Sequence, residues 1–535
     1  MVDPALYPSF PPGLVADYRA KGYWGNRTIG QELHAVALQH PDIEAIVDVE
    51  NRLTYRELDE RSDAIAQRLL DLGLKPGDPV ILQIGSTVES VAAFYAMTKM
   101  GAIPVCSLIP FGHHEIDAIA QIVGARAHLV QVDVPGKDLV AFALEVKDVV
   151  PSMQLVLTIR GEAEGAHRID DAPPAPPVAV EVDPDAIGIM QLSGGTTGTP
   201  KAIPRLHAEY WYNGRATAER WGYTPGSRVA HFLPLVHNAG VHAALFPAHA
   251  VGATVVLGAT WSADIVLDLL EREHVEFFGT MATLMPSIMD DPRFDAAMKH
   301  VKRLGIALAP PDGLFDELTA RGLQVCQFYG MSEGLICSMP TDAPMQMRRE
   351  TVGYPLSPDD ELKLIDPETG EDTLEYGELC VRGPYTLRGY YNAAEHNAKA
   401  FLPGGYYRTG DLVRFVDIEG QRCLQIDGRH KDLISRGGEK VNAEEIENLL
   451  VQMPGVEAAA LVAMPDPRLG ERGCAFLVTG TSPMPDLSQV RQFMEQRGVA
   501  RYKWPERLEQ LDALPLTPVG KVAKKQLRER LAATV

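Results

Sequence analysis

The sequence predicts an α/β protein, with a large N-terminal domain of parallel-rich sheets and helices followed by a small α+β domain. Three observations predict it. Short apolar runs alternate with capped helical patterns through the first 110 residues, the signature of βαβ units that feed a parallel sheet. The 535 residues exceed what one hydrophobic core usually supports, so at least two domains are expected. Past Asp427-Gly-Arg-His-Lys-Asp432, about a hundred residues carry their own set of helix and strand patterns.

Taken in order, Glu44 to Val49 reads as a buried strand. Thr54-Tyr-Arg-Glu57 then reads as a capping box, because the Thr hydroxyl and the Glu carboxylate can satisfy orphan amides at a helix start. That helix should run to about Leu72 and stop at Gly73. Pro79 to Ile84 is a second strand, Ser86-Thr-Val-Glu89 a second capping box, and Ile103 to Cys106 a third strand after a helix that ends near Gly101. Residues 160 to 187, with Pro173, Pro174, Pro176 and Pro177, form a low-periodicity surface excursion before the strand-like run Ile187 to Leu192. The domain boundary is placed at the 427–432 segment, giving domains 1–430 and 431–535. In the second, Ala443 to Val451 reads as a helix and Ala458 to Val462 and Ala475 to Val478 as strands. Neither an internal repeat nor a long low-complexity tract occurs.

Composition narrows the function classes. With 71 acidic against 50 basic residues the formal net charge is −21, a surface that repels phosphate backbones and anionic headgroups, so no nucleic-acid or membrane partner is expected. The basic stretch Lys521 to Arg530 is short, and a solvated helix face accounts for most of it. Six scattered cysteines include no CxxC pair, which argues against a zinc site or a disulfide framework and fits a reducing cytoplasm. The sequence carries no signal-peptide pattern at Met1 and no run of about 20 apolar residues, so a soluble, cytoplasmic protein is expected.

The sharpest local feature is Ser193-Gly-Gly-Thr-Thr-Gly-Thr-Pro-Lys201, directly after an apolar strand. Gly194, Gly195 and Gly198 let backbone amides turn toward an anion. Ser193, Thr196, Thr197 and Thr199 add hydroxyl donors and Lys201 a counter-charge, so the loop suits a polyphosphate. It is not a Walker A loop, which needs Gly-Lys-[Ser/Thr] opening a helix, whereas Pro200 precedes the lysine here. A flexible Gly/Thr surface loop is the plain alternative.

This loop resembles the phosphate-binding signature of the adenylate-forming superfamily, which includes acyl-CoA synthetases, firefly luciferase and the adenylation domains of nonribosomal peptide synthetases. Five further segments match that family's motifs in order. Tyr329-Gly-Met-Ser-Glu333 resembles the element in which Tyr329, Gly330 and Ser332 meet ATP and Glu333 holds magnesium. Tyr407-Arg-Thr-Gly-Asp411 resembles the element whose aspartate grips both ribose hydroxyls, with Arg429 donating to the same ribose. Gly428-Arg-His-Lys-Asp432 and Arg436-Gly-Gly-Glu-Lys440 resemble the hinge, at Lys431, and the glycine loop, at Gly437 and Gly438, of a mobile C-terminal domain. Pro518-Val-Gly-Lys521 carries the late catalytic lysine. The resemblance implies ATP and Mg2+ as cofactors, Lys521, His237 and Glu333 as catalytic residues, and a two-step reaction. Adenylation brings two anions together, so lysine, magnesium and loop amides must neutralise the transition state. The small domain then rotates, withdraws Lys521 and opens a tunnel for a phosphopantetheine thiol.

Within the superfamily the chain is most similar, over nearly its whole length, to stand-alone aryl acid ligases that activate 2,3-dihydroxybenzoate or salicylate. In those ligases the Asn of a His-Asn-Tyr element bonds the ortho hydroxyl of the acid, and Asn238 matches it. Ala239 departs from the ring-stacking Tyr, and Ala307-Leu308-Ala309 departs from Gly-Gly-Ala, so Leu308 is expected to refill the space. Ala243 replaces a serine that meets the second hydroxyl, and Ile336 takes a nearby apolar position. A buried hydroxyl left unpaired there costs about 1–3 kcal/mol, which disfavours 2,3-dihydroxybenzoate. His242 could reach an amino or ring nitrogen of the substrate, although a packing histidine is the plain alternative. The expected activity is ATP-dependent activation of a small aromatic acid (salicylate, anthranilate, a hydroxybenzoate or a heteroaryl acid) and transfer to coenzyme A or an aryl carrier protein. The alternatives are an acyl-CoA synthetase for a non-aromatic or fatty acid and a non-catalytic nucleotide-binding regulator.

Overall fold

A computed structural model describes residues 6–193, 200–307, 310–367, 369–429, 432–436, 439–466, 468–497, 499, 501–517 and 520–532, with the backbone alone at Arg429, Ser435, Glu439 and Lys440. It is an α/β protein built on four sheets. In the first, the strands Leu155–Ile159, Ala127–Gln131, Pro79–Gln83, Ile103–Cys106 and Ile187–Leu192 run parallel, and Ala202–Leu206 closes one edge antiparallel. The second has nine strands. Its parallel centre is Val325–Gly330, Arg303–Ala307, Phe277–Met281, Arg228–His231, Thr254–Leu257 and Glu44–Val47, with antiparallel strands at both margins. Parallel strands buried on both faces read as unbroken apolar runs, and Pro79–Gln83 and Ile187–Leu192 are buried along their whole length.

Residues 361–429 form a third, mainly antiparallel sheet, in which the long strand Tyr406–Ile418 pairs with Tyr376–Arg382 on one side and Gln421–Arg429 on the other. The fourth sheet belongs to the C-terminal part. Ala458–Asp466 and Gly470–Val478 form a nine-residue hairpin flanked by Leu433–Arg436 and Arg507–Gln510, and the helix Ala443–Leu450 packs on it.

The helix Tyr55–Asp71 opens on the expected capping box, with Thr54 N donating to Glu57 Oε2 at 2.8 Å and Glu57 N to Thr54 Oγ1 at 3.3 Å. The next helix, Val88–Met100, does not. Its cap is Thr87, whose hydroxyl accepts from Ser90 N at 3.2 Å. Ser86 is unavailable because its hydroxyl accepts from Leu235 N at 3.1 Å and donates to Leu233 O, while Glu89 pairs with Arg160 at 3.2 Å. The first strand stops at Val47 rather than Val49, because Asp48 Oδ1 accepts from the amides of Glu50 and Asn51 and turns the chain.

In an open α/β sheet ligands gather beyond the carboxyl ends of the strands. Here those ends deliver Ser193, His231, Met281, Ala307 and Gly330 to one cleft. The C-terminal part closes over it. Gly520, at φ +79°, caps a short hairpin bridged at Leu516 and Val522, and Thr283 Oγ1 donates to its carbonyl at 2.7 Å. A side chain there would crowd Leu284 and Met281 at 3.2–3.3 Å, so glycine permits the close approach.

Candidate active site

The cleft encloses about 1740 Å3 and takes walls from both parts of the chain. Ser193 and Lys201 stand at the edge where the Gly/Thr loop begins and ends. The strands Ile187–Leu192 and Ala202–Leu206 end in a pair of bonds, Ser193 N to Lys201 O and Lys201 N to Ser193 Oγ, both 3.0 Å. These bonds pin the two feet of the Gly/Thr loop. Gly194, Gly195, Thr196, Thr197, Gly198 and Thr199 themselves lie outside the described residues, as do Leu308, Lys431, Gly437, Gly438 and the side chain of Arg429.

The Tyr329–Glu333 segment is held from three sides. Arg205, almost fully buried, makes a two-point ion pair with Glu209 at 2.8 and 2.9 Å, lies 3.9 Å over the Tyr210 ring, and donates to Ser332 O at 3.1 Å. Leu387 N donates to Glu333 O at 2.8 Å, and the Tyr390 hydroxyl donates to Glu333 Oε1 at 2.7 Å. Burial and the Glu333 charge push the Tyr390 phenol far above its ordinary range, so it stays a donor. Tyr329 OH donates to the buried Asp411 Oδ2 at 2.6 Å, and Asp411 pairs in register with Arg429 on the neighbouring strand. Tyr329, Glu333 and Asp411 thus face one space, although they come from two different sheets.

Lys521 reaches that space from the docked hairpin, with its own amide held by Thr517 Oγ1 at 3.1 Å. His237 caps the short helix Asn238–Gly240, its Nδ1 accepting from Ala239 N at 3.2 Å. The proton of the neutral ring is therefore on Nε2. Burial lowers its pKa to about 3, helped by the nearby charge of Lys521, so it is neutral at physiological pH.

Beside it, the helix widens into one π turn, Val241–Leu245, a feature frequent at functional sites. Asn238, Ala239, His242 and Ala243 line the cleft along this turn, opposite Ala307 and Gly330. Asn238 Oδ1 accepts from Tyr210 OH at 2.6 Å and its Nδ2 donates to Met331 O at 3.3 Å. Burial also lowers His242 to about 3, and its Nδ1 is buried with no partner among the described residues. Ile336 is apolar and buried beside this wall. It belongs to the hydrophobic core, pairs with Gly330, and its Cδ1 lies 2.7 Å from where a Cβ on that glycine would stand, so it takes the space beside a residue that lines the cleft.

The sequence reading gave no role to Tyr210, Tyr390, Arg205, Thr283 or Glu444. Only Arg205 and Glu209 left a signal, as an opposite-charge pair four residues apart at a helix start. Glu444, from the C-terminal helix, stands against Gly428 and feels the charge of Asp411. Among the described residues no three His, Cys, Asp or Glu side chains gather as a metal site. Nor is any helix long and apolar enough to cross a membrane.

Comparison with known proteins supplies independent findings. The sequence pattern described as AMP-binding enzyme matches residues 33–391, and that described as AMP-binding enzyme C-terminal domain matches 445–521. The chain is 39% identical over 544 residues to a Streptomyces protein named salicylyl-CoA synthase / salicylate adenylyltransferase, covering 97% of this chain and 96% of the relative. It is 35% identical to the 2,3-dihydroxybenzoate-AMP ligase of Bacillus subtilis, covering 98% and 97%. Among solved structures, the apo form of Mycobacterium smegmatis MbtA superposes with a TM-score of 0.74 at 35% identity, over 98% of this chain and 99% of that one.

Proposed function

Because this chain belongs to the AMP-binding enzyme family, we propose that it activates an aromatic carboxylic acid as its acyl-adenylate and passes the acyl group to a thiol. The observation that carries the reading is the meeting of Lys521, Asp411 and Glu333 in one cleft with a small-residue pocket beside Asn238. In the first step a carboxylate oxygen attacks the α-phosphorus of ATP, a new P–O bond forms, and pyrophosphate leaves with the electrons of the broken one. Asp411 accepts from the ribose, Lys521 neutralises the meeting anions, and the Nε2–H of His237 donates to a phosphate or carboxylate oxygen. In the second, a thiol loses its proton, attacks the acyl carbon, and AMP departs.

Glu333 fits a magnesium ion. One carboxylate oxygen is fixed by Tyr390, the other would be a hard ligand for the ion, and magnesium commonly takes one or two carboxylates with phosphate oxygens. The ion would supply charge neutralisation on the leaving pyrophosphate. Residues 1–430 would bind ATP and the acid. Residues 431–535 would carry Lys521 in and then, turning at Lys431, bring Gly437 and Gly438 to a pantetheine arm of coenzyme A or a carrier protein. Two relatives named for salicylate and 2,3-dihydroxybenzoate support an aromatic substrate. A charge balance that repels nucleic acid and lipid suits a cytoplasmic enzyme.

The test is acid-dependent exchange of labelled pyrophosphate into ATP over a panel of aryl, heteroaryl and fatty acids. Exchange with aromatic acids is the expected result. Preference for an unbranched fatty acid would replace the aromatic reading, and absence of exchange with every acid would leave a nucleotide-binding regulator.

A further inference from the structure

One stretch of the cleft is lined by glycine and alanine. Gly279 sits in the strand Phe277–Met281 and faces the cleft, and a Cβ on it would meet no atom of the described residues within 4 Å. Its in-register neighbour Gly305 is different, because the Trp221 ring fills that position, 2.3 Å from where a Cβ would stand. Two adjacent glycines thus share one face of the sheet, one covered by an indole and one open. The same cleft is lined by Ala243 and Ala244 of the π turn and by Trp221, which stands edge-on to Phe328 at 6.0 Å. A lining of glycine and alanine that also presents an indole suits a flat aromatic group larger than one ring.

The orientation of the Asn238 amide is fixed as well. Gln191 Nε2 donates to Tyr210 OH at 3.4 Å, so the Tyr210 proton goes to Asn238 Oδ1. Met331 O can only accept, so the amide nitrogen of Asn238 must face it. The amide cannot turn over, and what Asn238 has left to offer is its second N–H and the second lone pair of Oδ1, so it meets a substrate group that donates or accepts.

We propose that this pocket selects a fused bicyclic aromatic acid with a hydrogen-bonding group ortho to the carboxylate, a 1-hydroxy-2-naphthoate or a quinoline-2-carboxylate in chemical type, over its single-ring counterpart. The inference rests on the aryl-acid reading above and adds the size of the acid. Gly279 and Ala244 set the length, Trp221 stacks at the end, and Asn238 meets the ortho group.

The experiment is pyrophosphate exchange with matched pairs, salicylate against 1-hydroxy-2-naphthoate and picolinate against quinaldate, with 3-hydroxybenzoate as the control for the ortho group. The bicyclic member of each pair should have a kcat/KM at least tenfold higher, and 3-hydroxybenzoate should fall at least tenfold below salicylate. Gly279→Val and Ala244→Leu should each lower the bicyclic-to-monocyclic ratio by tenfold or more. A ratio is read within each variant, so a general loss of activity does not imitate the effect. Independently of turnover, 1-hydroxy-2-naphthoate should quench tryptophan emission in the wild type and lose most of that quenching in Trp221→Phe. No exchange with any aromatic acid would sink the aryl-acid reading itself. Exchange that favours single rings in both pairs, or a bicyclic preference unmoved by both filling variants, would overturn this inference and leave that reading standing.

Discussion

Tyr390 holds Glu333 with one hydrogen bond, and the geometry gives that bond a measurable consequence. The phenol fixes Oε1 at 2.7 Å and shares a second contact with Tyr407 OH at 2.9 Å, so the carboxylate keeps one rotamer. Tyr390→Phe frees that rotamer without removing charge. The Mg2+ concentration for half-maximal exchange should rise several-fold while the KM for the acid stays within about twofold, since a lost hydrogen bond to a charged group is worth about 1.5–3 kcal/mol. An unchanged Mg2+ requirement would remove Tyr390 from this role. At this scale the sequence was informative about identities and silent about partners. Asp411, Glu333 and Lys521 could be named from their motifs. Tyr390 stood inside Arg388-Gly-Tyr-Tyr391 with nothing to say where its hydroxyl pointed, because its partner is 57 positions away in the chain. Asn238 was legible as a candidate for the acid, and it lines the cleft, but its fixed amide was not legible, because Tyr210 and Met331 set it through tertiary contact.

Elements obey local chemistry until a hydroxyl or carboxylate is needed elsewhere. Thr54 and Glu57 are exposed and have only each other, so the capping box forms as the pattern requires. Ser86 and Glu89 have the same spacing, yet Ser86 ties the helix start to residues 233–235 and Glu89 meets Arg160, so the neighbouring Thr87 caps instead. Thr54→Ala should lower stability by about 1 kcal/mol, the usual worth of a cap, and lower the thermal midpoint accordingly. Ser86→Ala should cost a comparable amount for another reason, the loss of the Leu235 N–H acceptor, and chemical denaturation of both variants beside Thr87→Ala tests the assignment. A stable Thr87→Ala with a crippled Ser86→Ala helix start would reverse it. The antiparallel sheet of 361–429 was not read in advance, because its long strand Tyr406–Ile418 alternates burial irregularly around Gly410 and a register shift. The parallel strands, uniformly buried, were the most legible part of the fold.

Over the whole molecule the decisive feature is closure. Thr283 clasps Gly520, and Lys521 stands near enough to His237 to lower its pKa. If this arrangement serves adenylation alone, Lys521→Ala should abolish most pyrophosphate exchange yet retain thioester formation from supplied acyl-adenylate. Equal loss in both steps would count against two working arrangements. The same closure buries Glu444, and this gives it a pH dependence. Desolvation, with Glu447, Asp427 and Asp411 adding negative charge and Lys524 partly offsetting them, raises its pKa from 4.5 to about 7. A rotation that carries the helix Ala443–Leu450 away from Asp411 and Asp427 returns Glu444 toward its ordinary value. The closed form therefore binds the proton more tightly than the open one. Below the ordinary value both forms are protonated and pH has no effect. Between there and about 7 the open form loses its proton first, so each rise in pH favours opening, and above about 7 the effect levels off. Fluorescence energy transfer between dyes on the two parts should report a closed fraction that falls from about pH 5 to about pH 7 and is flat beyond. Glu444→Gln should stay closed across the range, since its amide is neutral in both forms. A wild type whose closed fraction is independent of pH, or a Gln variant with the same slope, would remove Glu444 as the titrating group.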